Sequence, residues 1–308
     1  MPRLFRILRI IISLSLLFII IYKTDFHSLL LILKKADLKL FILSLLIYIL
    51  SQYLSTHRWR LLIVTKGIEV PFSRLLSFYF VGMFFNLFMP TLIGGDLFRT
   101  YDLYKETSDV KEAAASVLVE RIAGVLALSS LSLLSLIFGF SYIIDKPIVI
   151  YSILGWNFIF ISSIILIFNE NIKNFFSSVF VKIKLWGLLV KFHDAIFEYK
   201  KYPRTLMKVI LLSFVVQINF LIIFYIMAAA LNLDINFIYI WVFTPLITLF
   251  SMIPVSLAGW GLREGATIYL YSKIGCSTEA SLLLSLSVTF IMTITSLMGG
   301  IILTFRKR

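Results

Sequence analysis

Apolar runs about as long as a lipid bilayer is thick recur from one end of the chain to the other. The runs cover residues 10–22, 41–64, 113–144, 147–168, 205–231 and 280–304. A helix of about 20 apolar residues crosses the hydrocarbon core, and the run at 10–22 is the shortest of the set. Because lipid offers the backbone no hydrogen-bond partners, only helices and closed barrels span it. The sequence therefore predicts an all-α polytopic membrane protein with about six full transmembrane helices.

Composition leaves no room for a second, soluble domain. Charged residues make up 15% of the chain and the mean hydropathy is +0.99, whereas soluble domains carry about 25% charged residues. No polar segment exceeds about 40 residues, too few for a folded unit, so residues 1–308 are expected to form a single transmembrane domain. One cysteine, Cys276, and three scattered histidines favour neither a metal site nor a bound cofactor.

The net charge of +13 indicates membrane orientation and not nucleic-acid binding, because Lys and Arg cluster at the ends of apolar runs. The most basic loop is 169–204, with seven Lys and Arg residues against three acids. Basic clusters also occur at both termini and at His57-Arg58-Trp59-Arg60, which looks like an interfacial anchor. Since cytoplasmic loops are enriched in Lys and Arg, we expect a multi-pass protein of the cell membrane with both termini in the cytoplasm.

One short pattern occurs twice within this apolar sequence. The copies are Pro90/Gly95/Arg99 and Pro254/Gly259/Arg263, with further glycines at Gly94 and Gly261. Proline ends a helix, glycine lets the backbone turn, and the next helix opens with unpaired N–H groups. Neither arm of either copy is long enough to span comfortably. The pattern predicts two re-entrant helical hairpins, 74–105 and 237–274, entering from opposite faces as an inverted repeat.

Charged residues at these breaks and in one span need partners inside the membrane. They are Asp96, Arg99, Glu120, Arg121, Arg263 and Glu264. A charge at the centre of a membrane helix costs roughly 2.5–3.5 kcal/mol, so such groups must pair, face water or meet a ligand. One interpretation is structural: the carboxylates of Asp96 and Glu264 each pair with an arginine and clamp the hairpins together. The other adds a ligand, because two arginines beside two helix N-termini suit a phosphate. The two interpretations are compatible.

Glu120 and Arg121 lie apart from the breaks, and the structural interpretation is the stronger one for them. Adjacent residues on a helix point about 100° apart, so the two are expected to bond to different neighbours.

Three stretches resemble the signature points of the lysylphosphatidylglycerol synthase transmembrane (flippase) region. They are Leu92-Ile93-Gly94-Gly95-Asp96-Leu97-Phe98-Arg99, Val119-Glu120-Arg121-Ile122-Ala123-Gly124 and Gly259-Trp260-Gly261-Leu262-Arg263-Glu264-Gly265. The resemblance implies a polytopic membrane protein with two re-entrant hairpins, and it places the six charged residues on polar motif positions of the family. It also implies a small stand-alone member, because the soluble aminoacyl-transferase domain of the two-domain synthases is absent from these 308 residues.

The expected function is translocation of a membrane lipid, as a flippase or scramblase, with the lipid bound through its headgroup phosphate. The lipid would be an anionic or aminoacylated phospholipid or a polyprenyl phosphate. No enzymatic activity, cofactor or nucleic acid is expected; a second copy of the chain or a lipid-synthesis enzyme is a candidate partner. Two alternatives stay open: a membrane-embedded glycosyl- or aminoacyl-transferase using Asp96, and a non-transporting scaffold for envelope enzymes.

Overall fold

The computed structural model describes residues 24–89, 94–168, 194–253, 256 and 259–306, together with Ser15, Phe18, Ile20 and Tyr22. Within these ranges the chain is almost entirely helical. The helices are α1 (Phe26–Lys34), α2 (Leu38–Val64), α3 (Phe72–Phe88), α4 (Gly94–Thr107), α5 (Val110–Ile143), α6 (Pro147–Phe168), α7 (Pro203–Ala230), α8 (Phe237–Met252), α9 (Leu262–Ser272) and α10 (Thr278–Phe305). A short 3-10 helix, Glu198–Lys201, precedes α7.

Five of these helices are long and apolar enough to cross a bilayer: α2, α5, α6, α7 and α10. They coincide with five of the predicted spans and confirm an all-helical polytopic membrane protein. The sixth predicted span, 10–22, lies outside the described residues apart from four isolated positions. The same is true of the larger part of the basic loop, 169–193, and of the basic clusters at 1–9 and 307–308.

Side chains that cap the first turn fix where the spans begin. Asp37 accepts from the backbone N–H of Lys39 at the start of α2, and Asp109 accepts from two N–H groups at the start of α5. Ser277 accepts from the N–H of Ala280 in the same way at the start of α10. These oxygens satisfy donors that the helix itself leaves unpaired, so each turn is a defined boundary.

The helices begin and end mainly at two opposite ends of the molecule. At the first, named here the Lys66 end, Lys66 Nζ lies 2.7 Å from Glu198 and 3.2 Å from Glu112. At the second, the Asn232 end, the Asn232 side chain donates to the Lys35 carbonyl over 2.8 Å. Helices α2, α5, α6, α7 and α10 run from one end to the other, in alternating directions.

The Lys66 contacts also set the charge state of that end. Partial burial disfavours the charged amine, but the hydrogen bonds to Glu198 and Glu112 outweigh it and raise the pKa of Lys66. The bond from Lys66 in turn lowers the pKa of Glu198. The ammonium therefore stays charged and joins α2, α5 and the segment before α7.

Helices α3 and α4 form a pair that begins and ends at the Lys66 end. Helix α3 starts shortly after α2 stops there, and α4 ends at Thr107, just before α5 starts there. Helices α8 and α9 form a second pair with both ends at the Asn232 end, since α8 follows the Asn236 cap and α9 leads through a short turn into α10. The break of each pair therefore points into the molecule, from opposite directions.

The two breaks are built differently, which revises one expectation. Gly94 and Gly95 lie in the first turn of α4 and do not form the turn itself. A Cβ on Gly95 would lie 2.0 Å from the Gly82 carbonyl oxygen, so glycine is needed there for the close approach of α3 and α4. At the second break Gly259 and Gly261 have φ of +81° and +82°, which glycine alone adopts readily.

The prolines of both patterns lie outside the described residues. Pro90 and Pro254 are the two positions concerned. The chain does stop being helical just before each of them, at Phe88 and at Met252.

Helix α3 is also held on its other side, by α10. A Cβ on Gly299 would lie 2.0 Å from the Phe80 carbonyl oxygen, so the two backbones touch. At the Lys66 end, Arg306 pairs with Asp102 of α4 at 2.7 Å and stacks on Phe78 of α3. Helix α3 is therefore held by α4 on one side and by α10 on the other.

The main apolar core lies toward the Asn232 end, where α7, α8, α9 and α10 pack together. Phe224, Phe243, Tyr271 and Leu284 are each at most 1% exposed there. This core holds the second pair against the long helices.

Replacing Gly95 by alanine is expected to destabilise the protein by about 1–3 kcal/mol, because the added methyl group overlaps the Gly82 carbonyl. Thermal unfolding of the detergent-purified protein measures this as a lowered Tm. Gly155→Ala in α6 is the matched control, since nothing lies within 4 Å of its Cβ position. Equal Tm values for the two variants would contradict the close approach.

Candidate functional site

A buried ion-pair cluster joins the first helix pair to the long helices. Its centre is Glu120 of α5, which is 2% exposed. Arg58 of α2 donates to one Glu120 oxygen at 2.7 Å, and Arg99 of α4 makes a short ion pair with the other. The Tyr79 hydroxyl lies 3.4 Å from Glu120, and Arg58 also donates to Ser213 Oγ at 2.9 Å. One carboxylate of α5 thus connects directly to α2, α3 and α4.

Asp96 extends the cluster to a third arginine. Its Oδ2 accepts from Arg121 Nε at 2.5 Å, and its Oδ1 lies 3.4 Å from Arg99 Nη1. Glu120 and Arg121, adjacent in sequence, therefore bond to different neighbours, as the helix geometry predicts. Arg99 bridges both carboxylates, so the cluster is continuous from Arg58 to Arg121.

Two aromatic rings fix the guanidinium of Arg99. Its central carbon lies 4.4 Å from the Trp59 ring centre and 4.2 Å from that of Tyr79. Trp59 is fully buried and donates to Ser116 Oγ at 3.0 Å. The two rings and the two carboxylates together hold the Arg99 guanidinium in a defined position.

Desolvation explains why each charged group of the cluster has an oppositely charged partner. Each carboxylate is at least nine-tenths buried, and an isolated buried charge costs several kcal/mol. Excellent geometry and further hydrogen bonds offset that cost, and Ser213 and Tyr79 supply them here. Removing one partner leaves an uncompensated charge.

The cluster forms one wall of a cavity of about 300 Å³ between the two helix pairs. Asp96, Arg99, Glu120 and Arg121 all line it, and so does Arg263 from the start of α9. The structure therefore brings five of the six sequence-predicted charges to one cavity. Helices that enter from opposite ends supply two of its arginines, Arg99 and Arg263.

Arg263 differs from the other arginines in its partners. Its Nη1 donates to Thr289 Oγ1 at 3.1 Å and lies 3.9 Å from Met292 Sδ, both on α10. Among the described residues it makes no ion pair. Of the four arginines that line the cavity, it is the one whose contacts with described residues are all with neutral groups.

Glu264 does not lie on the cavity. It is 1% exposed, and its Oε2 accepts from the Gly261 N–H at 2.6 Å. This bond satisfies a donor at the start of α9 and places the carboxylate where the helix dipole favours it. The expected pairing of Glu264 with an arginine is not observed within the described ranges, because the carboxylate caps its own helix.

The first break is capped by an amide instead. Asn86 Oδ1 of α3 accepts from the Gly95 N–H at 2.7 Å. Sequence reasoning missed this role, since Asn86 lies four residues before the pattern begins.

Sequence reasoning also misplaced Arg58 and Trp59. Both were assigned to an interfacial anchor, but Arg58 is 6% exposed and Trp59 is fully buried. Only Arg60 of that group is exposed. A signal was present: Gln52, Ser55 and Trp59 follow helical spacing within an apolar span, which indicates a buried polar stripe.

Comparisons with known proteins agree with this architecture. The family described as lysylphosphatidylglycerol synthase TM region matches residues 6–300. A UPF0104 membrane protein of Pyrococcus horikoshii is 22% identical, over 98% of this chain and 97% of its own length. A UPF0104 membrane protein of Methanocaldococcus jannaschii is 32% identical over 61% of this chain and 79% of its own. Another, from Methanothermobacter thermautotrophicus, is 25% identical over 81% and 80%.

Arg58→Ala is expected to destabilise the protein by about 3–5 kcal/mol, because Glu120 loses one of its two buried partners. Thermal unfolding in detergent measures the loss. Arg60→Ala, two residues away on the same helix and exposed, is the control and should leave Tm unchanged.

The double variant Arg58→Ala/Glu120→Gln should lose less stability than the sum of the two single losses, because the two side chains form one ion pair and each single variant already removes it. If Arg58→Ala and Arg60→Ala behaved alike, the buried pairing of Arg58 would be refuted.

Proposed function

This chain belongs to the lysylphosphatidylglycerol synthase TM region family, and from that premise we propose that it translocates membrane lipids between the two leaflets. The headgroup phosphate passes through the cavity between the helix pairs, while the acyl chains remain in the surrounding lipid. The observation that carries the proposal is that helices from opposite ends of the molecule contribute arginines to one cavity.

The lengths of the paired helices support a re-entrant arrangement. At 1.5 Å per residue, α3 and α8 are about 24–26 Å long and α4 and α9 about 16–21 Å. Each is shorter than a hydrocarbon core of about 30 Å. In a bilayer aligned with the five long helices, the first pair enters from the Lys66 end and the second from the Asn232 end. Inverted broken helices of this kind bind substrate in many transporters.

The distribution of charge supports a cytoplasmic location for the Lys66 end. Its described Lys and Arg residues are Arg60, Lys66, Arg74, Lys105, Lys111, Lys200, Lys201, Arg204, Lys208 and Arg306. Those of the Asn232 end are Lys34, Lys35, Lys39, Lys146 and Lys273. From the positive-inside rule we infer that the end richer in Lys and Arg faces the cytoplasm, together with the C-terminal end of α10.

The ion pairs give a chemical route for headgroup exchange. A phosphate that reaches Arg99 or Arg121 can take the place of Asp96, since both ligands offer paired oxygens to a guanidinium. The arginine then keeps an anionic partner in both states, and Asp96 keeps the other of its two arginines, so no buried charge is left unpaired. Arg263 offers the phosphate a second contact from the opposite helix pair.

Arg263→Ala is expected to slow translocation at least about tenfold, the loss of one charge-assisted hydrogen bond or more. Proteoliposomes with fluorescent phosphatidic acid and a membrane-impermeant quencher measure the rate. Arg263 is the preferred position because its neighbours in the described chain are neutral, so the fold should survive, as Tm can verify. Arg99→Ala should also abolish translocation.

Arg60→Ala serves as the control and should translocate at the unaltered rate. Unchanged rates in both Arg99→Ala and Arg263→Ala would refute the site and favour a scaffold. Formation of a modified lipid from a labelled sugar or aminoacyl donor would favour the transferase alternative instead.

A further inference from the structure

The charges on the cavity wall do not balance. Four guanidinium groups line it, those of Arg58, Arg99, Arg121 and Arg263, against the two carboxylates of Asp96 and Glu120. The described wall therefore carries an excess of two positive charges. The undescribed positions at the two breaks are 90–93, 254, 255, 257 and 258; none is ionisable in the sequence, so they leave this balance unchanged.

Both carboxylates are already committed to arginines. Glu120 is held by Arg58 and Arg99, and Asp96 by Arg99 and Arg121. An ammonium group that entered the cavity would have to displace one of these guanidinium groups and would meet the excess positive charge. The wall is therefore unfavourable for a choline, ethanolamine or aminoacyl headgroup.

A terminal phosphate fits the same wall well. A phosphate monoester carries about −1.5 to −2 charges at neutral pH and three acceptor oxygens, whereas a phosphodiester carries only one charge. Arg263 can bind two of those oxygens in a bidentate manner, and Thr289 and Met292 support its position. The charge of a monoester, and not that of a diester, matches the excess.

The remainder of the wall fits the lipid part of such a molecule. Met83, Val125, Leu128, Phe220 and Phe224 line the cavity beside the charged cluster. Apolar walls next to a charged patch favour an amphiphile over an inorganic ion, which has no surface to bury there.

We propose that the cavity selects lipids whose headgroup ends in a phosphate monoester or diphosphate, and that it rejects headgroups that carry an ammonium. Arg263 is the specificity-determining residue, because it supplies a cationic contact that the two carboxylates do not neutralise. This inference rests on the proposed function and narrows its substrate class.

The test introduces one carboxylate beside Arg263 and keeps the side chain at position 292 close to its present size. Met292 Sδ lies 3.9 Å from Arg263 Nη1, so Met292→Glu puts an anion next to that guanidinium, and Met292→Gln is the uncharged control of the same size. Native mass spectrometry of the purified full chain compares bound phosphatidic acid, phosphatidylcholine and lysyl-phosphatidylglycerol. Thermal shift with inorganic phosphate alone provides a separate arm.

The unaltered protein should prefer phosphatidic acid over the other two lipids by at least about tenfold, the effect of one charge-assisted contact, and Met292→Gln is the reference with which Met292→Glu is compared. In Met292→Glu this preference should be lost. Equal binding of all three lipids by the unaltered protein, or an unchanged preference in Met292→Glu, would overturn the inference. Stabilisation by inorganic phosphate without a lipid preference would overturn it too.

Transport distinguishes this failure from failure of the proposed function. Translocation of phosphatidylcholine as fast as phosphatidic acid in proteoliposomes leaves a translocase but removes the selectivity. Selective binding of phosphatidic acid with no translocation of any lipid instead removes the translocase and leaves a binding protein for terminal lipid phosphates.

Discussion

The ion pairs of Glu120 determine how the surrounding helices are arranged. A carboxylate buried this deeply persists only with cationic partners, and both of its partners come from other helices. Their geometry therefore fixes α2, α4 and α5 relative to one another. Arg99 carries the constraint onward to Asp96 and Arg121, so the position of the first break follows from electrostatics as much as from apolar packing.

The two helix pairs solve one problem in different ways. Each break leaves the following helix with unpaired N–H groups inside the molecule. At the first break Asn86 of the preceding helix accepts from one of these N–H groups. At the second break Glu264 accepts from one within its own helix. The repeat seen in the sequence is thus one of chain direction and of Pro, Gly and Arg positions. It does not extend to the partners of the two arginines, which are carboxylates for Arg99 and neutral groups for Arg263.

Sequence reasoning located the five described spans and the two breaks, because hydropathy over about 20 residues is a strong signal and charges stand out within it. It found five cavity charges for the same reason. It could not assign partners: whether Glu264 meets an arginine or a backbone N–H depends on distances of a few ångströms. Arg58 was misplaced because a basic residue near the end of a span resembles an interfacial anchor. Only the tertiary position of Glu120 shows otherwise.

The two helix pairs are held by different contacts, and those of the first pair lie along α3. Backbone touches backbone at Gly95 and at Gly299, and Arg306 ties the outer ends together. At the second break Gly259 also lies close to the preceding helix, since a Cβ there would lie 2.9 Å from the Ser251 carbonyl oxygen, and Arg263 is held by a hydroxyl and a thioether. A movement that displaced the Arg99 guanidinium would therefore break two ion pairs, whereas the described contacts of Arg263 include none.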